Sequence, residues 1–503
     1  MKETTGSGTL RKVIGASSLG TLIEWYDFYI FGMLAKTIST EFFPEGNSTA
    51  ALLSTLAIFA AGFIVRPFGA IFFGRLGDLL GRKSTFLLTL VLMGGSTFLI
   101  GLVPGYHSIG MAAPLIVLLL RLLQGLALGG EYGGAATYVA EHAPPGKRGF
   151  YTSWIQTTAT LGLFLALGVI MLVKMNSSDE RFNAEWGGWR YPFWFSIILV
   201  IVSVYIRLKM QESPLFAQLK SEGKIAKNPL KESFRNKGNF KMVLLALFGA
   251  TMGQGVVWYT GQFYAQSFLE TKVALSFEQS RIILLWAIVL ATPFFIFFGW
   301  LSDKIGRKWV MLAGMLLAIV TYRPIFNQLL EDADVQQWSA ENSTTTVKQQ
   351  TKLLAHSTDS LIQTTTLYKL SNGVQYAKEQ TDTLQSASGK ILEGKPVIKN
   401  KVLPHTGKYV VLVFLLIFYV TMVYGPIAAF LVELFPVHIR YTSMSLPYHI
   451  GNGVFGGLVP FIGVLLQTTF TTDPLIGLWY PIGVAALCFI IGFVYLNNKI
   501  VDN

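Results

Sequence analysis

The sequence predicts an all-α membrane protein in which twelve transmembrane helices form two pseudo-repeated six-helix bundles. Of its 503 residues, 52% are apolar and 14% are charged, whereas soluble proteins carry charge on about a quarter of their residues. Twelve apolar segments reach the length of about 20 residues that a helix needs to cross the hydrocarbon core. Barrel strands need only about half that length, so helices that pair their own backbone polar groups are the predicted spanning structure.

Lysine and arginine predict how these segments are oriented. The predicted spans are 13–36, 50–75, 84–104, 112–138, 151–173, 189–210, 241–268, 281–302, 309–330, 408–433, 443–467 and 476–496. Loops on the N-terminal side carry 22 basic residues and the short loops on the other side carry 6. Because basic loops stay in the cytoplasm, both termini and the central loop are predicted to be cytoplasmic.

Two loop motifs occur once in each half of the chain. Residues 74–83 and 299–308 share the pattern G-x-x-x-D-x-x-G-R-K at an offset of 225 residues, and residues 141–148 and 433–440 share E-x-x-P-x-x-x-R. The repeat divides the chain into an N-terminal bundle (1–210), a central loop (211–240) and a C-terminal bundle (241–330 and 406–503). The second half holds about 67 extra residues between its motifs.

The extra residues form a polar insertion, 331–405, between the ninth and tenth spans. The topology places it on the extracytoplasmic side. Val347, Leu354 and Leu361 are seven residues apart, which favours a short amphipathic helix. A partly ordered polar loop is the alternative.

Two carboxylates lie inside the first span. An ionised group at mid-bilayer costs about 2.5–3.5 kcal/mol on insertion scales, so Glu24 and Asp27 must face a partner or a wet cavity. Being three residues apart, they can open onto one helix surface. We expect them to handle protons or substrate; the alternative is that one of them pairs with a structural arginine such as Arg66.

The fourth span supplies the complementary charge. Arg121 and Gln124 are candidate substrate ligands, because a guanidinium fork fits a carboxylate of the substrate or of Glu24 or Asp27. Glu131 shares the face of Gln124 and joins the proton-coupling candidates. A permanent buried ion pair that fixes helix register is the alternative.

The second half lacks these charges at the repeat-related positions, Gly249, Met252 and Val413. A neutral polar and aromatic set takes their place, and its members could hydrogen-bond a small solute or hold a cationic group by cation–π attraction. The substrate-binding candidates there are Trp258, Tyr259, Gln262 and Asn452. Packing is the alternative role for these residues.

The duplicated loop motif, the run from Arg121 to Gly129 and the six-plus-six organisation together resemble the major facilitator superfamily. Residues 20–28, 121–141 and 433–457 look like the metabolite:proton symporter family, whose members carry proline, betaine, citrate, 2-oxoglutarate or shikimate. The resemblance implies alternating access and proton-coupled symport of a small polar metabolite, either an organic anion or a zwitterion. Leu79, where the family has a basic residue, and the insertion depart from the family pattern.

The loop motifs place opposite charges at cytoplasmic helix ends, where they can pair in one conformation and separate in another. Each exposed pair contributes only about 0–1 kcal/mol, enough to bias a balanced equilibrium without locking it. The predicted gating residues are Gly74, Asp78, Arg82, Lys83, Glu141, Arg148, Asp303, Arg307, Glu433 and Arg440.

Other classes of function find little support. The sequence offers no nucleophile with a base, no metal-ligand spacing and no phosphate-binding loop, so we expect neither an enzyme nor a cofactor. The net charge of +12 lies in loops beside apolar spans, which argues against nucleic acid. The expected partners are a small-molecule substrate, the proton and the lipid bilayer, with the chain a monomer. A sensor that uses the insertion to bind a ligand, and a proton-independent facilitator, remain alternatives.

Overall fold

The computed structural model describes residues 7–44, 47–80, 82–130, 135–137, 139–140, 143–144, 146–209, 235–333, 343–353, 360–384, 391–435 and 440–497. Within this part, ten helices are long and apolar enough to cross a membrane. The first helix, of 27 residues, and a helix whose apolar part is Leu87–Ile100 bring the number to twelve. The prediction of a twelve-helix membrane protein is confirmed.

Six helices make up the N-terminal half. They are α1 (Ser7–Met33), α2 (Ser48–Ile64 continued by Arg66–Leu80), α3 (Arg82–Ile100), α4 (Ala112–Gly129), α5 (Arg148–Met175) and α6 (Tyr191–Lys209). Short helical turns lie at Ala35–Glu41, Tyr106–Ile109, Asp179–Phe182 and Gly188–Arg190. Asn47 caps α2, because its side-chain oxygen accepts a hydrogen bond from the Ala50 N–H at 2.9 Å.

Two of the six helices in the C-terminal half are interrupted by π-helical turns. The first, α7, runs through Lys237–Ala246, Leu247–Thr251 (π), Met252–Tyr259, Thr260–Tyr264 (π) and Ala265–Thr271. It is followed by α8 (Phe277–Ile305), α9 (Arg307–Glu331) and α10 (Gly407–Tyr424, then Ile427–Leu434). The second interrupted helix, α11, comprises Arg440–His449, Ile450–Gly456 (π) and Val459–Thr469, and a 3₁₀ turn (Ile476–Leu478) precedes α12 (Trp479–Tyr495).

The chain forms two compact units. The first comprises Met1–Tyr264, Ile288–Tyr322 and Phe414–Asn503, and the second comprises Ala265–Ala287 and Arg323–Val413. Most of both helical halves therefore belongs to the first unit. The second unit contains the insertion and the helix ends that flank it. The division into bundles at residues 210 and 241 stays a prediction.

Glycines let α2 and α4 approach closely in the first unit. A Cβ atom at Gly125 would collide with the carbonyl oxygen of Gly62, and one at Gly129 would collide with that of Arg66. Small residues four apart commonly allow such backbone contact between membrane helices. The close contact brings the buried parts of α2 and α4, and with them Arg66 and Arg121, into the same interior.

The insertion folds as a β-sheet in the second unit. Its strands are β1 (Ser343–Leu353), β2 (Ser360–Leu370), β3 (Gln375–Leu384), β4 (Ile391–Leu392) and β5 (Val397–Val402). All named pairs are antiparallel: β2 lies between β1 and β3, while β4 and β5 both pair with β3.

The prediction of a short helix in the insertion was wrong. Val347 lies in β1 and Leu361 in β2, while Leu354 lies outside the described residues. The seven-residue spacing was outweighed by composition, because β-branched threonine, valine and isoleucine recur along both strands and favour a pleated surface. The strands follow α9 and precede α10 in the chain.

Backbone pairing attaches β5 to the α7–α8 connection within the second unit. The Ser276 N–H donates to the Lys401 carbonyl at 2.8 Å, and the Lys401 N–H donates to that of Ala274 at 2.7 Å. The Gln279 side chain also pairs with both backbone groups of Leu403, at 2.7 and 2.9 Å. The edge of the sheet at β5 is thus covered by the chain itself.

Candidate transport site

Arg121 lies fully buried in α4. Its Nη1 donates to Gln124 Oε1 at 2.8 Å, and Gln124 Nε2 donates in turn to Thr97 Oγ1 at 2.6 Å. The guanidinium carbon is 4.1 Å from the ring centroid of Phe28 and 4.7 Å from that of Phe59. The structure therefore brings together the two predicted residues of α4 and sets the guanidinium among aromatic rings.

A second buried arginine, Arg66, faces the same rings. It comes from α2, and its guanidinium carbon lies 4.5 Å from the Phe28 centroid and 4.3 Å from that of Phe63. Sequence reasoning considered Arg66 only as a structural partner for a carboxylate. An arginine within a predicted apolar span was the signal that could have placed it in the site.

Both guanidinium groups keep unused hydrogen-bond donors. Within the described part of the chain, Nε and Nη2 of Arg66 and of Arg121 are buried without a hydrogen-bond partner. Neither arginine forms an ion pair with Asp27 in that part. Buried charges are normally paired, because an uncompensated one is costly. The site is therefore electropositive and has free donors for an anionic group.

Aromatic rings from both halves of the chain meet beside these charges. Trp258 of α7 lies 5.5 Å from Trp25 and 5.7 Å from Tyr29 of α1, measured between ring centroids. Tyr259 lies 4.9 Å from Phe63 of α2 in the same way. The interior between the halves is consequently lined by aromatic side chains.

Three neutral side chains add unused polar groups. Among the described residues, Trp258 Nε1, the Tyr29 hydroxyl and both polar atoms of the Gln262 amide are buried without hydrogen-bond partners. Gln262 lies in the π-helical turn Thr260–Tyr264, and such turns occur frequently at functional sites. These groups could donate to or accept from a small polar solute.

The two carboxylates of α1 are buried, but Asp27 is directed away from the arginines. It is 1% exposed and Glu24 is 3% exposed. Asp27 Oδ2 faces α3, where a Cβ atom at Gly94 would lie 3.1 Å from it. Asp27 Oδ1 has no hydrogen-bond partner among the described residues. The predicted direct pairing of this carboxylate with Arg121 is therefore not formed in this conformation.

The C-terminal half contains a satisfied amide pair. Asn452 Nδ2 donates to Gln254 Oε1 at 2.8 Å, and Gln254 Nε2 donates to Asn452 Oδ1 at 3.1 Å. The pair joins α7 to the π-helical turn of α11, where Gly255 packs on the Gly451 carbonyl. Asn452 thus has a structural partner, and its contact with substrate stays a prediction.

At the end of the bundle predicted to be cytoplasmic, the second-half motif joins the two halves. Asp303 accepts hydrogen bonds from the first backbone N–H groups of α5, at 2.9 Å from Gly149 and 2.8 Å from Phe150. Arg307 pairs with Asp303 at 2.6 Å and with Glu433 at 3.0 Å. Charge at the N-terminus of α5 and a buried ion network therefore hold α5 to α8, α9 and α10.

The remaining gating candidates are described less fully. Arg148 begins α5, and Arg440 Nε donates to the Phe435 carbonyl at 3.1 Å. Gly74, Asp78, Arg82 and Lys83 lie at the ends of α2 and α3, where no side chains are described. Glu131 and Glu141 lie outside the described residues.

The opposite end of the bundle is closed by apolar contacts. Ala35, Leu56 and Val464 form a buried cluster, which Leu52 and Phe461 extend. It joins the short helical turn that follows α1, and the start of α2, to α11. The two halves therefore touch at both ends, with the arginines and aromatic rings enclosed between them.

Apolar helices around a buried polar interior, with backbone hydrogen bonds from α5 to Asp303 joining the halves at one end, are the architecture of a multi-pass membrane transporter. The family model described as "Sugar (and other) transporter" matches residues 12–250. The chain is 32% identical over 476 residues to the inner membrane metabolite transport protein YhjE of Escherichia coli (strain K12), covering 93% of this chain and 90% of that protein.

The chain belongs to the major facilitator superfamily, and within it to the metabolite:proton symporter family. It is also 39% identical over 332 residues to the alpha-ketoglutarate permease of Escherichia coli (strain K12), over 65% of this chain and 74% of the permease. The solved proton:xylose symporter XylE, bound to 6-bromo-6-deoxy-D-glucose, shares the fold with a TM-score of 0.68 at 15% identity. That match covers 98% of this chain and 96% of XylE.

Proposed function

We propose that this transporter couples proton entry to uptake of a small metabolite that carries two carboxylate groups. On the predicted topology it works in a bacterial inner membrane with both termini in the cytoplasm. The observation that carries the proposal is the pair of buried guanidinium groups, Arg66 and Arg121, which both lie over the ring of Phe28 with unused donors.

Two arginines that form no ion pair within the described part of the chain favour a dianion over a neutral or singly charged solute. Each guanidinium can hold a carboxylate through two parallel hydrogen bonds. A dicarboxylate would neutralise both charges in an interior where electrostatic interactions are stronger than in water. One relative is named an alpha-ketoglutarate permease, and alpha-ketoglutarate carries two carboxylates.

Trp258, Tyr29 and Gln262 supply the remaining polar contacts in this proposal. A keto or hydroxyl oxygen between two carboxylates would meet the indole N–H, the phenol or the amide, all of which have unused polar atoms in the described part. Because Trp258 belongs to α7 and Tyr29 to α1, such a solute would contact both halves. Binding would then favour the conformation in which the halves close around it.

Asp27 is the proton carrier of the proposal, with Glu24 and Glu131 as supporting carboxyls. Protonation removes the charge of a buried carboxylate and with it most of the penalty of keeping that group out of water. Asp27 faces α3, and the next residue of the same helix, Phe28, packs against both arginines. A shift of α1 would therefore change the surroundings of the carboxyl and of the anion site together.

A counterflow assay with the purified chain in proteoliposomes tests the substrate class. The panel holds C4 and C5 dicarboxylates, the matching monocarboxylates, proline, betaine and xylose. We expect dicarboxylates to exchange fastest, and an inward proton gradient to drive their accumulation. Exchange of proline or betaine without dicarboxylates would reject the dianion. Flux that is insensitive to the pH gradient and gives no accumulation would indicate a facilitator.

A zwitterion is the second candidate, because aromatic rings cluster next to the arginines. Trp258 lies 5.5 Å from Trp25 and 6.2 Å from Tyr424, between ring centroids. Such rings can hold a quaternary ammonium by cation–π attraction while an arginine takes the carboxylate. The same panel separates the candidates, since only a zwitterion site would prefer betaine to a dicarboxylate.

A further inference from the structure

One edge of the sheet in the second unit is open. All eleven residues of β1 pair with β2, and among the strands that the structure describes β1 has no other neighbour. The edge formed by β5 is covered by residues 274–276. Open strand edges that are long and regular can accept another strand, and proteins commonly shorten, bend or cover them.

The hydrogen-bond register shows which backbone groups of β1 face outward. The Leu370 N–H donates to the Val374 carbonyl at 2.9 Å, so the backbone of Leu370 faces β3. In a strand the next residue faces the other way, and Lys369 therefore faces β1, where it is opposite Thr344. It follows that the backbone groups of Thr346 point to β2 and those of Val347 point to the open edge.

The side chains of β1 add an apolar point and a positive charge. Val347 is 62% exposed, and Lys348, on the other face of the sheet, is exposed as well. The described strands and the residues beside them, 343–353, 360–384 and 391–403, contain seven lysines and three acidic residues. One of the three, Glu379, is paired with Lys399 at 2.6 Å. The sheet is thus a basic surface beside an unpaired strand edge.

We propose that β1 is a docking edge for an extended, acidic polypeptide segment of a partner protein. The segment adds a strand to the sheet through main-chain hydrogen bonds, the mode known as β-augmentation. Its aspartate or glutamate residues alternate, so that they lie on the face of Lys348, and uncharged residues lie on the face of Val347. On the predicted topology the partner is extracytoplasmic.

Charge decides between this partner and a second copy of the chain. A second β1 strand would bring an identical basic sheet, with its own Lys348, against the first. Like charges on neighbouring strands destabilise the pairing, whereas opposite charges stabilise it. An acidic strand is therefore a better electrostatic match for the edge than the β1 strand of a second copy.

The full-length protein in nanodiscs of neutral lipid is titrated with a fluorescent nine-residue peptide of alternating threonine and glutamate. The matched control peptide alternates threonine and lysine. We expect saturable binding of the glutamate peptide only. Val347→Pro removes an outward N–H without removing a hydrogen bond to β2, a position where an edge strand tolerates proline. It should weaken binding at least tenfold, and Val347→Thr, which keeps the N–H, should not.

Lys348→Glu separates a charge effect from an effect on folding. This variant keeps every backbone group and should reverse the preference, so that the lysine peptide binds and the glutamate peptide does not. Hydrogen exchange of β2 and β3 amides in each variant reports whether the sheet is intact.

The proposal fails if the glutamate peptide does not bind. It also fails if the sheet of Val347→Pro is intact and this variant binds the peptide as tightly as the original chain does. Self-association that Val347→Pro abolishes would identify a second copy as the occupant instead. Displacement of the peptide by vesicles containing anionic lipid, with Val347→Pro unaffected, would indicate a membrane surface.

Discussion

The two halves of the transport site differ in whether the buried polar groups that they leave unused carry a charge. In the N-terminal half, Arg66 and Arg121 keep unused donors among the described residues. In the C-terminal half, Gln254 and Asn452 pair with each other through both amide atoms. An unsatisfied buried charge needs a ligand, whereas a satisfied amide pair fixes two helices. Trp258 and Gln262 of the second half also keep unused polar atoms among the described residues, but these atoms are neutral. The comparison therefore assigns the charge-dependent part of binding to the first half, and neutral contacts and rigidity to the second.

The strongest test of this comparison is Arg121→Gln. Removing one member of a buried, hydrogen-bonded charge pair costs about 2–5 kcal/mol, so affinity for a dicarboxylate should fall about 100-fold. The half-saturation concentration in counterflow measures it. Arg121→Lys keeps the charge but loses the two-pronged hydrogen-bonding geometry, so its affinity should lie between that of the original chain and that of Arg121→Gln. If the substitution lowered thermal stability but left affinity unchanged, Arg121 would be structural.

Asp27→Asn tests the coupling role that we assign to the same half. The variant cannot lose a proton, so uphill accumulation driven by a pH gradient should fall to the level of empty liposomes. Counterflow needs no net proton movement and should stay within a few-fold of the original chain. Glu24→Gln is the neighbouring control. Normal accumulation by both variants would reject these carboxyls as coupling groups.

Asp303→Asn probes the ion network where α5 meets the second half. The substitution removes a negative charge from the α5 N-terminus, an interaction of about 0.3–1 kcal/mol at exposed sites and up to about 2 kcal/mol when partly buried. It also weakens the Arg307 network. We expect the uptake rate to change several-fold and affinity in counterflow to change less. A loss of affinity as large as that of Arg121→Gln would place this network in the binding site.

The sequence was sufficient for features that depend on local pattern. Apolar length predicted twelve helices, and two polar side chains within one apolar span singled out Arg121 and Gln124, which hydrogen-bond to each other. The repeated motif predicted that Arg307 could meet Glu433, 126 residues away. Each of these follows from helix geometry or from a duplicated segment, which one sequence can display.

Features that depend on packing between distant segments could not be obtained in this way. Arg66 and Arg121 share the ring of Phe28 because three helices pack together, and no spacing within one helix encodes that. The π-helical turns of α7 and α11 were not predicted, because the spacing of apolar residues does not distinguish them from α-helix. In the insertion, three apolar residues spaced seven apart favoured a helix, whereas the β-branched composition favoured strands. Pairing between the strands decided the outcome.

The smallest expected effect on transport belongs to the amide pair of the second half. Asn452→Leu leaves the Gln254 amide buried without its partner, which should lower the free energy of unfolding by about 1–3 kcal/mol. Adding Gln254→Leu removes the orphaned amide as well, so the double variant should recover part of that loss. Thermal unfolding in detergent measures the stability of both variants. Affinity in counterflow should change less than about threefold, because the two amides hydrogen-bond to each other and not to substrate. A large loss of affinity in the double variant, with stability regained, would show that the amides bind substrate, as the sequence predicts for Asn452. The division of roles between the two halves would then be wrong.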